Sequence, residues 1–230
     1  MKSCMSHTIE YMHKKARPRK DLSLMALYET LYSFYGPQHW WPGDTPFEIA
    51  VGAILTQNTN WGNVEKAISN LKKHKMLNAK VIHQMPIDQL ASLIRPSGYY
   101  NIKAKRLRAF IDYFVGSYGG SMARMKKGRT EKLRQELLAV NGIGQETADS
   151  ILLYSLGKPA FVIDAYTKRV LSRHGFIEMN ATYEECRQLF YGELDEEVLL
   201  FNEYHALFVM VGKEHCKPIK RCAGCPLSVV

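Results

Sequence analysis

Apolar positions recur at helical spacing along nearly the whole chain. Leu24, Leu27, Tyr28, Leu31 and Phe34 share one face of a segment from Leu22 to Tyr35, which Gly36-Pro37 closes. Phe47 to Leu55 is apolar almost all round, the pattern of a helix enclosed in a bundle, and it runs straight into five polar residues, Thr56-Gln57-Asn58-Thr59-Asn60. The same period predicts helices over Val64 to Leu71, Pro86 to Ile94, Lys103 to about Tyr118, Leu133 to Val140 and Gln145 to Leu156. After Asp164 it predicts a helix through Val170 and Leu171 ending at Gly175, then Tyr183 to Leu194 and Glu197 to Gly212. No segment alternates as a strand does, and no repeat or low-complexity tract interrupts the pattern, so the class expected is all-α.

Between two of these helices lies Asn141-Gly142-Ile143-Gly144-Gln145-Glu146-Thr147. Two glycines around one apolar residue describe a tight helix-to-helix turn, where a positive φ and a missing side chain let another backbone approach. A phosphodiester is one such backbone, since a helix start presents unpaired amides to an anion. Asp164 follows about twenty residues later, just before the next helix, where an ordinary aspartate serves as a cap. Trp40-Trp41-Pro42 sits in a Pro/Gly loop, either plugging a gap or offering a wall on which a base stacks. The turn cluster Arg95 to Asn101 precedes Lys103, Lys105, Arg106 and Arg108, and Arg124, Lys126, Lys127 and Arg129 lie further on. Such runs are a solvated face or a flank along a phosphate backbone. Cys216, Cys222 and Cys225 are spaced C-x5-C-x2-C, crowding that favours metal ligation over disulfides.

The charge balance narrows the partner. Thirty-one basic against 22 acidic residues leave a net charge of +9 across 230 residues, which suits a polyanion. No apolar run reaches the roughly 18 residues a spanning helix needs, and the basic stretch from Met1 to Lys20 lacks the apolar block of an export signal. The reading is a cytoplasmic, nucleoid-associated monomer with a loose leader over 1–20.

Taken together, the hairpin with Asp164, the Trp-Trp-Pro stretch, the Gly-Tyr-Tyr-Asn-x-Lys-Ala-Lys pattern and the cysteines resemble the helix-hairpin-helix (HhH-GPD) DNA glycosylases. Within these, the endonuclease III and 3-methyladenine glycosylase branch is the most similar. The resemblance implies two helical lobes: residues 40–156 as a bundle carrying the hairpin, and 21–39 with 157–230 as a terminal lobe. It implies Asp164 as catalytic carboxylate, Trp40, Trp41, Pro42, Phe47 and Glu146 as the base pocket, and Gln57 or Asn58 as the wedge filling the hole left by a displaced nucleotide. Gly142, Ile143, Gly144, Gln145, Thr147, Lys103, Lys105 and Arg106 would hold the DNA backbone. The partner implied is double-stranded DNA containing a damaged base.

In bifunctional members a lysine stands where this chain has Glu146, so a monofunctional enzyme is expected. The lesion class expected is an alkylated purine such as 3-methyladenine, a leaving group that needs little acid assistance. The alternatives are a glycosylase for oxidised, deaminated or mispaired pyrimidines, and a non-catalytic DNA-binding module. The family's cysteine motif, C-x6-C-x2-C-x5-C around a [4Fe-4S] cluster, is matched by Cys216, Cys222 and Cys225 with a shorter first gap and no fourth cysteine. A [4Fe-4S] cluster is expected, with Cys186, His215, solvent or the terminal carboxylate as fourth ligand, and zinc is the runner-up.

Overall fold

A computed structural model describes residues 22–40, 43–219 and 221–228. Among these the regular structure is helical throughout. The helices are α1 (Leu24–Tyr35), α2 (Pro46–Leu55), α3 (Trp61–Lys73), α4 (Ala79–Gln84), α5 (Ile87–Leu93), α6 (Tyr100–Tyr118) and α7 (Met122–Met125). They continue with α8 (Thr130–Leu138), α9 (Gln145–Ser150), α10 (Ala165–Arg173), α11 (Tyr183–Glu193) and α12 (Val198–Glu214). No described helix is long and apolar enough to cross a membrane.

Local chemistry sets the ends. Ser23 accepts the amide of Ala26 to open α1, Thr45 that of Glu48 ahead of Pro46 at the first turn of α2, and Asn60 that of Asn63 for α3. Thr182 and Glu185 form a reciprocal capping box at the start of α11. Short α4 is not predicted by period, because six residues carry too little of a repeat. Asn78 caps it and Arg108 donates to the carbonyls of Ile82 and Met85 at its far end.

The helices enclose two apolar cores. One gathers Ile54, Leu71, Leu107, Phe110, Phe114 and Leu152 from α2 through α9. The other gathers Leu27 and Leu31 of α1 with Phe161, Phe190, Tyr204 and Phe208, whose rings stack or meet edge-on. α9 does not run on regularly to Leu156: Ile151–Ser155 widens into a π turn. Ile151 and Leu152 join the first core and Leu153 and Tyr154 the second, so four successive residues serve both.

A buried ionic network also joins the two sides. Arg134 of α8 donates to Asp149 of α9 at 2.7 Å, Tyr183 donates to the same carboxylate, and Arg187 of α11 reaches Glu131 of α8 at 2.8 Å.

Candidate functional site

A cavity of about 160 Å³ opens where the two cores meet. Its lining includes Trp40, Ala53, Trp61, Glu146, Tyr154, Asp164 and His205, contributed by both halves of the fold. It shares Thr56, Gln57, Glu146 and Thr147 with an adjoining groove that also runs past Asn58, Arg106, Gly142, Gly144 and Tyr183. Pocket and hairpin are therefore continuous.

Asp164 caps α10 and also borders the cavity. Its Oδ1 accepts the amide of Thr167 at 2.7 Å, while Oδ2 lies 3.7 Å from Nε2 of His205. Burial works to raise the carboxyl, but His205 and the Thr167 amide outweigh it and hold it below the ordinary 3.8. Glu146, at the cavity mouth, is pushed the other way, first by desolvation and then by the charge on Asp164. Two carboxyl groups in one site thus separate into a firmly ionised one and one that protonates more readily.

The hairpin's two glycines do different work. Gly142 has φ +84°, and a Cβ there would stand 2.2 Å from Cγ of Arg106. Gly144 is extended, caps α9 without a side chain, and has nothing within 4 Å of where a Cβ would stand. The first makes the turn; the second leaves open surface. Lys105 is exposed, and Ile143 turns its side chain into the first core.

Two expected positions are corrected. Phe47 does not line the cavity: it packs on the first core and stacks on Phe114 at 5.9 Å. Trp61 takes that place, its ring lying over Gly52 and its Nε1 donating to Glu65. Lys103 cannot meet a phosphate, because it is 1% exposed and its Nζ donates to the carbonyls of Leu55 and Ser97 at 2.8 and 2.6 Å. Its neighbours on the helical period explain this, since Leu107, Phe110 and Phe114 place the same face inward. Of the two wedge candidates, Gln57 donates to Gly142 O and Thr147 Oγ1 and accepts from Arg106 Nη1. Asn58 stands exposed at the tip with φ +54°. Trp41 and Pro42 lie outside the described residues.

Sequence reading missed Trp61, Tyr154 and His205. Trp61 is an aromatic at the start of an amphipathic helix, and Tyr154 and His205 sit inside apolar runs. Each looks like core until the cavity is visible. Trp40 connects them, stacking near Tyr154 at 6.5 Å and lying 5.8 Å from His205, with Lys213 Nζ over its ring.

The cysteines gather without forming a ligand set. Arg173 donates to Cys216 Sγ at 3.3 Å, backbone amides of Leu227 and Ser228 approach Cys225, and Cys222 is exposed. Among the described residues no three His, Cys, Asp or Glu converge on a point where a metal would sit. Cys186 is buried in the second core with Lys168 and Glu185 as its charged neighbours, and His215 Nδ1 faces Arg221 O. Among the described residues these groups do not make up a four-ligand [4Fe-4S] or zinc set. The loop is held instead by Arg169 and Arg173, which donate to the carbonyls of Cys216, Lys217 and Pro218.

Residues 51–194 match the family described as HhH-GPD superfamily base excision DNA repair protein. A Methanocaldococcus jannaschii protein designated a DNA repair glycosylase is 48% identical over 204 residues, 88% of this chain and 92% of that one. Endonuclease III of Thermotoga maritima is 30% identical over 75% of this chain and 76% of its own. In three dimensions, 3-methyladenine DNA glycosylase of H. pylori, solved with 1,N6-ethenoadenine, aligns with TM-score 0.75 and 29% identity over 84% of this chain and 98% of that one. An endonuclease III in non-covalent complex with DNA aligns with TM-score 0.76 at 21% identity, over 89% of this chain and 92% of that one.

Proposed function

The chain belongs to the HhH-GPD superfamily of base excision DNA repair proteins, and from that premise we propose a monofunctional DNA glycosylase that excises alkylated purines from double-stranded DNA. The observation that carries this is the ionised carboxylate of Asp164 at the edge of a cavity bordered by two indole rings.

The bond to be broken lies inside the base stack, so the nucleotide must first leave it, at a cost of a few kcal/mol. The hairpin around Gly144, with Lys105 and Arg106, holds the strand; Asn58 fills the space vacated; the base enters between Trp40 and Trp61. Stacking there offsets part of the extrusion cost, about 1 to 3 kcal/mol per base, and the ring faces favour a cationic purine over a neutral one. As the bond from C1′ to the base nitrogen lengthens, its electron pair leaves with the base and positive charge grows on the sugar. Asp164 stabilises that charge, and the oxygen of a water bonds to C1′ while its proton passes to the carboxylate and on to solvent. Glu146 occupies the groove where an amine would have to stand to attack the sugar, so no Schiff base forms and the product is an abasic site.

The experiment is a panel of duplexes bearing 7-methylguanine, 3-methyladenine, uracil, thymine opposite guanine or an oxidised pyrimidine, scored for released base. Release of the methylated purines, its loss in Asp164→Asn, and no adduct on borohydride treatment are the expected results. Selective release of a pyrimidine would replace the substrate class, and a trapped adduct would overturn the monofunctional mechanism.

A further inference from the structure

Behind Asp164 stands a buried imidazole that the excision step above does not use. His205, on α12, is 6% exposed. Its Nδ1 lies 2.5 Å from the hydroxyl of Tyr154, on the π turn, and its Nε2 lies 3.7 Å from Oδ2 of Asp164. That Nε2 is buried and has no hydrogen-bond partner among the described residues. An unpaired buried polar atom is costly to keep, and His205 is among the residues that line the cavity.

Two proton arrangements of the neutral ring fit the Tyr154 contact. If the phenol donates to Nδ1, the ring proton sits on Nε2. If the ring donates instead, Nε2 presents a bare lone pair to a carboxylate, and the Tyr154 hydroxyl loses its one acceptor among the described residues. Burial and the charge of Asp164 keep the phenol protonated, so the first arrangement is favoured on both counts. An N–H then points toward Asp164 across a gap too long for a direct hydrogen bond. At 3.7 Å the N–H still acts on Oδ2 by charge–dipole attraction, which favours the ionised carboxylate.

We propose that His205 is a positioning residue for base excision: Tyr154 fixes its ring with a proton on Nε2, and that N–H, 3.7 Å from Oδ2, seats the Asp164 carboxylate against the cavity. The inference rests on the glycosylase reading. The charged and titratable groups around the seat are Glu146 from α9, Tyr154 from the π turn, Asp164 at the start of α10 and, beyond the Trp40 ring, Lys213.

The test compares His205→Leu, His205→Asn and His205→Gln with wild type in single-turnover base release across pH. A glutamine amide reaches the place of Nε2, whereas an asparagine amide reaches only that of Nδ1. His205→Leu and His205→Asn are expected to slow release about ten- to a hundredfold at unchanged lesion-DNA affinity. Their acidic limb should move to higher pH, because Asp164 loses a partner of its ionised form. His205→Gln recovers most of the rate and the wild-type limb. Nitrogen NMR of the free protein should find the ring proton on Nε2, and Tyr154→Phe should mix the two tautomers. A wild-type rate and limb in His205→Asn beside an inactive Asp164→Asn overturns the positioning role and leaves the glycosylase standing. A ring proton found on Nδ1 overturns it too. No release of any base by the wild type overturns the glycosylase and the positioning role with it.

Discussion

The side-chain amide of Gln57 donates to the backbone carbonyl of Gly142 at 3.0 Å, tying the polar tip that follows α2 to the glycine hairpin 85 residues later. With Thr147 and Arg106 completing its bonds, Gln57 braces the hairpin, and the exposed Asn58 beside it is the wedge we propose for DNA. Gln57→Ala should therefore destabilise the fold by about 1 to 3 kcal/mol. Asn58→Ala should leave unfolding within about 0.5 kcal/mol of wild type and weaken binding to a lesion duplex. Thermal unfolding alongside titration of labelled duplex separates the two, and equal loss of stability in both would refute the division of labour.

The hairpin glycines should separate in the same way. Gly142→Ala places a methyl against Arg106 at positive φ, costing about 1 to 2 kcal/mol from the backbone alone. Gly144→Ala meets no protein atom, so the melting temperature should hold while DNA affinity falls at every salt concentration. Unchanged affinity in Gly144→Ala would remove the hairpin from the DNA contact.

Trp61→Ala should abolish most base release and also cost stability, because its ring both borders the cavity and packs on the first core. Phe47 is half-buried on that core and stacked on Phe114, so Phe47→Ala should cost stability as well, under about 3 kcal/mol, but leave excision by the remaining folded protein near normal. Rates normalised to folded enzyme are the measurement.

Lys103 gives stability a distinctive pH dependence. Burial, with Arg106 nearby, lowers its ammonium to about 8 from the ordinary 10.5. Between those values the unfolded chain binds more protons than the folded one, so this residue's contribution rises as pH goes from about 8 to 10.5 and is least favourable below 8. Denaturant unfolding across that range should show a rising component that Lys103→Met removes.

Arg134→Ala should cost about 3 to 5 kcal/mol, since it strands the wholly buried Asp149 without its charge partner. Lys132→Ala, on an exposed pair at 3.7 Å, should cost under about 0.5 kcal/mol. Chemical denaturation of the two variants decides it.

What the sequence determined by itself was the all-helical class, most helix positions, the glycine elbow, and an aspartate set at the next helix start. Those features are local: an apolar stripe has a period, a turn needs glycine, and a cap needs a short polar side chain, all within a few residues. What only the tertiary structure decided was which members of each run face the cavity. Periodicity shows that Lys103, Phe47, Trp61 and Tyr154 can be covered, but not whether protein or an open pocket covers them. The partners that settle it, Leu55 for Lys103, Phe114 for Phe47, Gly142 for Gln57 and Asp164 for His205, lie tens of residues away in the chain. A residue's chemistry there follows from packing between elements, which no window along the chain contains.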